Sequence, residues 1–258
     1  MESRILVEVA ELVNSVKEIK GRPFDPQFIL SSCVINVIYS IIFGSRFDLT
    51  SKEMIRTYNV LKSVAQSMLP ELNFFPLLRF LPHYRKHIRH ALDACKQWSD
   101  IVDAGIDMAM AEEDRESFAK SYLKSDPNRK LLNRYIWDLF GAAVETTTES
   151  LKWWTILLAN NPGVEERLQK EIDSVVPRDR LPTLDDRPHL PFVEAAILEL
   201  TRLKTMVPFA IPHKTLRETT VGTFTIPANT TVYVFYCNIY LNIIIIQFNS
   251  FIHNSLII

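Results

Sequence analysis

The stretch FGAAVETTTES, residues 140–150, sets an acid and three consecutive threonines inside an otherwise apolar run. Such residues are locally unfavourable in a helix, because the hydroxyl of Thr146 can bond to the carbonyl one turn back and compete with the helical ladder. The distortion is one that a bound group can use. Solvated helix faces carry the same residue types, so Glu145 and Thr146 alone do not decide between the two. A second signal lies about fifty residues on, where Glu199 and Arg202 stand three apart in PFVEAAILELTRL. That spacing puts both on one helix face. Their apolar neighbours favour burial, where the pair needs further hydrogen bonds to offset its desolvation. An ordinary surface salt bridge has the same spacing and contributes little.

The elements that must position these residues are mostly helical. MESRILVEVAELVNSVKEIK reads as a charged amphipathic helix. Asp25 and Pro26 suit the N-cap and first turn of the next, and QFILSSCVINVIYSIIF is apolar nearly all round, as a core helix is. A polar segment from Ser51 to Lys62 leads to SMLPELNFFPLLRFLP, whose prolines and aromatics read as a helix end and an apolar loop. From about Tyr84 to Glu113 apolar positions recur three and four apart among charges, predicting a long surface helix. ESFAKSYLKSDPNRK is polar, and the longest predicted helix follows it, from about Leu131 to Ala159. At 1.5 Å per residue it is about 40 Å long, enough to cross a domain. Asn161 and Pro162 begin another helix, with Glu165 and Glu166 in its first turn, running to about Val176. After a proline-rich connection comes PFVEAAILELTRL. Threonine-rich alternation around Ile226, Pro227 and Asn229 then predicts a short hairpin. The fold class expected is mostly α with a small β part, and no internal repeat is visible.

Composition narrows the functions open to this chain. Its 258 residues are 47% hydrophobic and 23% charged, which suits a globular core. The 29 lysines and arginines nearly cancel 30 aspartates and glutamates, so no summed field favours nucleic acid or an anionic membrane surface. Three cysteines, Cys33, Cys95 and Cys237, are too few and too scattered for a disulfide framework or a Cys/His zinc site. A reducing compartment fits best. The first twenty residues contain no apolar stretch behind a basic flank, and so no signal peptide or anchor is expected there.

The order of motifs is itself informative. GRPFDPQFIL, IIFGSRFDL, DLFGAAVETTTESLKWW, NNPGVEERLQKEID, LPTLDDRPHLPFVEAAILELTRL, VPFAIPH and FTIPANTTV occur in one order and spacing. Along most of residues 1–235 the chain resembles the microsomal cytochromes P-450 of the drug- and steroid-metabolising group. The resemblance implies an incomplete cytochrome P-450 fold around the long helix, which would cross over a haem with Ala142 and Ala143 at the oxygen-binding groove. Thr146 and Glu145 would manage proton delivery to dioxygen. Glycine is usual at the position of Ala143, so the groove would be slightly narrower here. Glu199 and Arg202 correspond to a structural ion pair. His213 matches a position contacting a haem propionate, although a satisfied loop histidine reads the same. Asp138, Phe140, Ala142, Val207 and Ile211 fall where the family lines its substrate pocket. Phe74, Phe75 and Phe80 would form a membrane-facing loop near the substrate entrance, or pack in the core.

The resemblance also implies haem as cofactor, NADPH-cytochrome P-450 reductase and an apolar small molecule as partners, and the endoplasmic reticulum membrane as location. Membrane association is expected of the full-length relative; no nucleic acid is. Some expected parts are absent. The family begins with an anchor, a small sheet and a helix bearing Trp and Arg for the other propionate, none of which precedes Met1. The cysteine loop whose thiolate holds the haem iron does not follow Val234. Cys237 is a poor substitute, because no glycine occurs after Gly222 to shape such a loop. No metal ligand is therefore assigned, and Cys33 and Cys95 read as small buried apolar residues.

Residues 236–258 read as an unmatched apolar tail without a charged side chain, rich in Ile, Asn, Phe and Tyr, whose codons are A/T-rich. Translated intron or frameshifted sequence accounts for it best. A tail anchor and an aggregation-prone strand are the other readings, the first weakened by Asn238, Asn242, Gln247 and Asn249. Two functions of different class follow. One is a haem-thiolate monooxygenase inserting one oxygen atom of O2 into an apolar small molecule. The other is a catalytically dead, haem-less fragment with at most a protein-binding role.

Overall fold

Leu30, Ile35, Tyr39, Ile42 and Phe43 of the apolar run at 27–43 are buried in a computed structural model that describes residues 1–67, 69, 71–112, 115–208, 210–234, 245–246 and 256–257. Only the backbone is described at 73, 74, 76, 245–246 and 256–257. Cys237 and most of the 236–258 tail lie outside the described residues, as does the side chain of Phe74. The described chain is mostly helical with a few short strands, as its residue pattern predicts. It divides into two compact units, Met1–Lys152 and Trp153–Ile258.

In the first unit, helix α1 (Glu2–Ile19) packs on α2 (Gln27–Phe43). The α2 helix starts one residue later than its sequence suggests: Pro26 is the N-cap, and Asp25 accepts the Gln27 amide at 2.9 Å. It ends at Gly44 with φ 80°, where the Gly44 amide donates to the Ser40 carbonyl. That left-handed end favours glycine. Glu8 of α1 is only 3% exposed, and its carboxylate accepts from Arg46 Nε at 2.7 Å and from Asn36 Nδ2 at 3.1 Å. Asn36 also exchanges two bonds with the Phe47 backbone, both at 2.9 Å. A carboxylate so enclosed needs that full set of donors to offset desolvation.

Helix α3 (Lys52–Gln66) occupies the segment expected to be a polar stretch. Ser51 caps it, accepting from the Met54 amide, and Met54, Thr57 and Val60 supply a narrow buried stripe. A short α4 (Glu71–Phe74) and a 3-10 turn (Pro76–Phe80) replace the expected loop, and α5 (Pro82–Ala111) runs beyond them. A further short helix, α6 (Phe118–Ser125), forms in the stretch read as polar, capped by Ser117. Helix α7 (Arg129–Ala159) is the long one. The core joins Ile35, Tyr39 and Phe43 to Met54, to Trp98, Val102 and Ile106 of α5, and to Leu132, Ile136, Phe140 and Val144 of α7. Each such side chain contributes roughly 1.5–3 kcal/mol on burial. Gly105 lets α5 approach closely: a Cβ there would stand 2.8 Å from the Phe43 ring.

In the second unit, α8 (Pro162–Val175) packs against α9 (Pro191–Leu203). Asn161 is the N-cap residue of α8, but its side chain makes no cap bond; it donates instead to the Leu157 carbonyl. Between them a 3-10 turn (Leu184–His189) opens with a capping box of Thr183 and Asp186. The strands are short. β1 (His213–Lys214) pairs antiparallel with β4 (Thr231–Val232), β2 (Thr219–Val221) with β3 (Phe224–Ile226), and β5 (Ile245–Ile246) with β6 (Leu256–Ile257). The hairpin reverses at Gly222, with φ 60°, rather than around Ile226 to Asn229; Asn229, with φ 64°, instead leads into β4.

Candidate functional site

The α7 segment 138–149 distributes its residues over distinct faces. Phe140 and Val144, one turn apart, are buried in the core, Phe140 with its ring 4.9 Å from that of Trp98. Ala142 and Thr146 are also one turn apart, about 200° round from them by helical spacing. Ala142 is exposed and Thr146 half-buried. The Thr146 hydroxyl donates to the Ala142 carbonyl at 2.7 Å, the local bond that its residue type predicts. Ser150 repeats the pattern onto the Thr146 carbonyl at 2.8 Å. Beyond Gly141 the space is open, with no atom within 4 Å of an added Cβ. Ala142, Thr146 and Ser150 thus form a stripe of small side chains whose two hydroxyls turn back onto the helix.

Glu145 faces elsewhere. With Phe140, Gly141, Val144 and Glu149 it lines a cavity of about 560 Å3, whose opposite wall includes Ile35 of α2 and Tyr58, Leu61 and Lys62 of α3. Asp138 lines a third region, an open cleft with Ser99, Asp103, Arg134 and Trp137. Phe140, Asp138 and Ala142, expected to line one substrate pocket, thus occupy separate surfaces of this unit. Lys62 and Tyr58 are absent from the sequence-based candidates; Ser51 as a cap ahead of Met54, Thr57 and Val60 is the signal that could have raised α3, and with it those residues.

The other expected residues belong to the second unit. Glu199 and Arg202 form a two-pronged pair, with bonds of 2.7 and 2.6 Å. The guanidinium holds the Glu199 carboxyl below its usual range. Their expected burial is corrected here: the Glu199 side chain is 52% exposed and Arg202 31%, because the neighbouring Leu198 and Leu203 are themselves exposed. His213 is exposed on β1, opposite Val232. Val207 and Ile211 are exposed, flanking Ala210 with its φ of 49°. Phe75 and Phe80 are exposed, so of their two readings core packing does not hold.

The described cysteines do not suit a thiolate ligand. Cys33 is buried, and its thiol is pushed up to about 12 by burial and by Glu8, with Arg46 opposing. Burial raises Cys95 too. Among the described residues no cluster of three or more His, Cys, Asp or Glu could hold a metal ion. Ala142, Ala143 and Thr146 offer small side chains and one hydroxyl on α7, and neither described cysteine suits ligation of an iron. Nor is any helix among the described residues long and apolar enough to cross a membrane.

Comparison with known proteins agrees with the motif order. The family profile described as Cytochrome P450 matches residues 1–243. The chain is 31% identical over 253 residues to "Cytochrome P450 1A2" of Cavia porcellus, covering 91% of this chain and 48% of that protein. To "Cytochrome P450 2B9" of Mus musculus it is 31% identical over 249 residues, covering 90% and 50%. To "Cytochrome P450 2U1" of Mus musculus it is 33% identical over 252, covering 91% and 47%. The chain belongs to the cytochrome P450 family. It spans about half the length of these curated relatives.

Proposed function

We propose that residues 1–235 are a partial cytochrome P-450 domain whose complete protein is a haem-thiolate monooxygenase inserting one oxygen atom of O2 into an apolar small molecule. Electrons would come from NADPH-cytochrome P-450 reductase, and the location would be the endoplasmic reticulum membrane. The observation that carries this reading is the Thr146 hydroxyl bonded at 2.7 Å to Ala142 on an open small-residue face of α7, within a chain of this family. When bound, haem supplies the redox chemistry that activates dioxygen. Thr146 donates to the Ala142 carbonyl at rest, which leaves its oxygen lone pairs free to accept a hydrogen bond from water. Turning about χ1 breaks the carbonyl bond and lets the hydroxyl donate outward, a proton-positioning role that depends on hydrogen-bond reach. Glu145 adds a carboxylate on the adjoining face. On the resemblance, Ala142 and Ala143 would line the groove, Glu199 and Arg202 would be the structural ion pair, and His213 would help to hold a haem propionate. The resemblance alone supports Asp138, Phe140, Ala142, Val207 and Ile211 as substrate-pocket residues of the complete protein, since Asp138, Phe140 and Ala142 occupy separate surfaces here.

The test is a chimera in which residues 1–234 replace the matching span of a complete relative. Thr146→Ala is expected to keep haem content and carbon monoxide binding while product formed per reductant consumed falls about tenfold, with hydrogen peroxide rising. Thr147→Ala, about 100° round the helix, is the control. Equal losses in both, or haem loss in the first, would mean that Thr146 is structural. A second reading is a haem-less chain with at most a protein-binding role. It is separated by the ferrous carbon monoxide spectrum of the purified chain mixed with haem. A thiolate-type band, abolished by Cys237→Ser, would exclude it.

A further inference from the structure

We propose that His83 and His87, at the start of α5, form a two-ligand surface site for a borderline divalent transition metal such as Ni2+, Cu2+ or Zn2+. The two residues are four apart within α5, both exposed, and their ring centroids are 4.6 Å apart. Imidazole nitrogens bind such ions at about 2.0–2.1 Å, so two on one ion must come within about 3 Å of each other. Side chains four apart on a helix meet in this way without backbone movement. No described hydrogen bond or ion pair engages either ring, so the lone pairs are available without breaking a contact of the fold.

The surroundings decide which ions bind. Arg79, Arg85, Lys86 and Arg89 lie close in sequence, and their charge disfavours any cation held by electrostatics alone. Hard ions such as Ca2+ and Mg2+ need oxygen donors and are excluded. Metals that prefer imidazole gain bond energy that the basic surroundings only reduce. His90, three residues beyond His87, does not complete a three-ligand cluster, so water fills the remaining positions and the site is an exchangeable one. Binding would tie together the first two turns of α5, directly after the exposed apolar turn of Phe75, Leu77 and Phe80.

The experiment uses the untagged full chain, with Zn2+ titrated by calorimetry and retention measured on an immobilised Ni2+ column. The expected result is one site whose affinity falls by about tenfold or more in His83→Ala and in His87→Ala, since losing a direct ligand costs at least as much as losing an outer partner. The double variant, which keeps neither ligand, should be weaker than either single one. His90→Ala should match the parent, and Ca2+ should give no heat. All three positions are exposed, so circular dichroism is expected to be unchanged. Parent-like binding by either single variant, or equal loss in His90→Ala, would overturn the assignment.

Discussion

Helix α9 begins with a cap borrowed from another helix, and removing that cap should loosen one end of α9. Its N-cap Leu190 has no side chain able to accept, and Pro191 contributes no amide. The Phe192 and Val193 amides donate instead to the two carboxylate oxygens of Glu171 on α8, at 3.0 and 2.8 Å. Losing an ordinary cap costs about 0.5–2 kcal/mol, and a carboxylate at the positive end of a helix dipole adds about 0.3–1. Glu171→Ala should therefore cost about 2 kcal/mol. Through the tenfold-per-1.4 kcal/mol relation this is roughly a 30-fold rise in amide exchange at Phe192 and Val193, if they exchange by local opening. Glu171→Gln keeps one acceptor, so its effect should be about half. The assay is hydrogen exchange resolved to single amides, with urea unfolding alongside. Unchanged exchange at both amides in Glu171→Ala would refute the borrowed cap, whatever happens to global stability.

Two other perturbations test packing and charge. Gly105→Ala should destabilise by about 1 kcal/mol, because a clash with the buried Phe43 ring, costing about 1–3 kcal/mol, outweighs the helix-propensity gain of about 1. Gly141→Ala, in open space, should stabilise, and the two thermal midpoints should move in opposite directions. Asp186 accepts from Arg180 and from Thr183, and these donors depress its carboxyl well below the usual range. A depressed folded value means that this stabilisation is full above the usual carboxylate range and is lost as pH falls towards the folded value. Asp186→Asn should therefore be less stable than the parent at pH 7, with the urea midpoints of the two converging as pH is lowered below about 4.

Legibility in the sequence followed the length and periodicity of each element. The α7 helix was readable almost to the residue because 31 residues of helical pattern end at Asn161–Pro162. The α3 and α6 helices were not, since each buries only a narrow stripe and its caps, Ser51 and Ser117, look like any loop serine. Thr146 bonding back to Ala142 is a local interaction, and so residue type foretold it. Burial of Glu199 is a tertiary property, and apolar neighbours along the chain did not report it. The cavity could not be read at all: Ile35, Tyr58 and Phe140 converge across more than a hundred residues.

The enclosed trio of Glu8, Asn36 and Arg46 has a consequence for how this sequence can drift. Changing Glu8 takes one acceptor each from Arg46 and Asn36, whereas changing Arg46 takes the charged donor from a carboxylate that is 3% exposed. Either substitution made first is harmful, yet the second then costs less than it would alone, because its partner is already gone. Stepwise replacement is thus blocked where simultaneous replacement by apolar residues would be tolerated. A library that varies the three positions singly would therefore overstate what each contributes by itself.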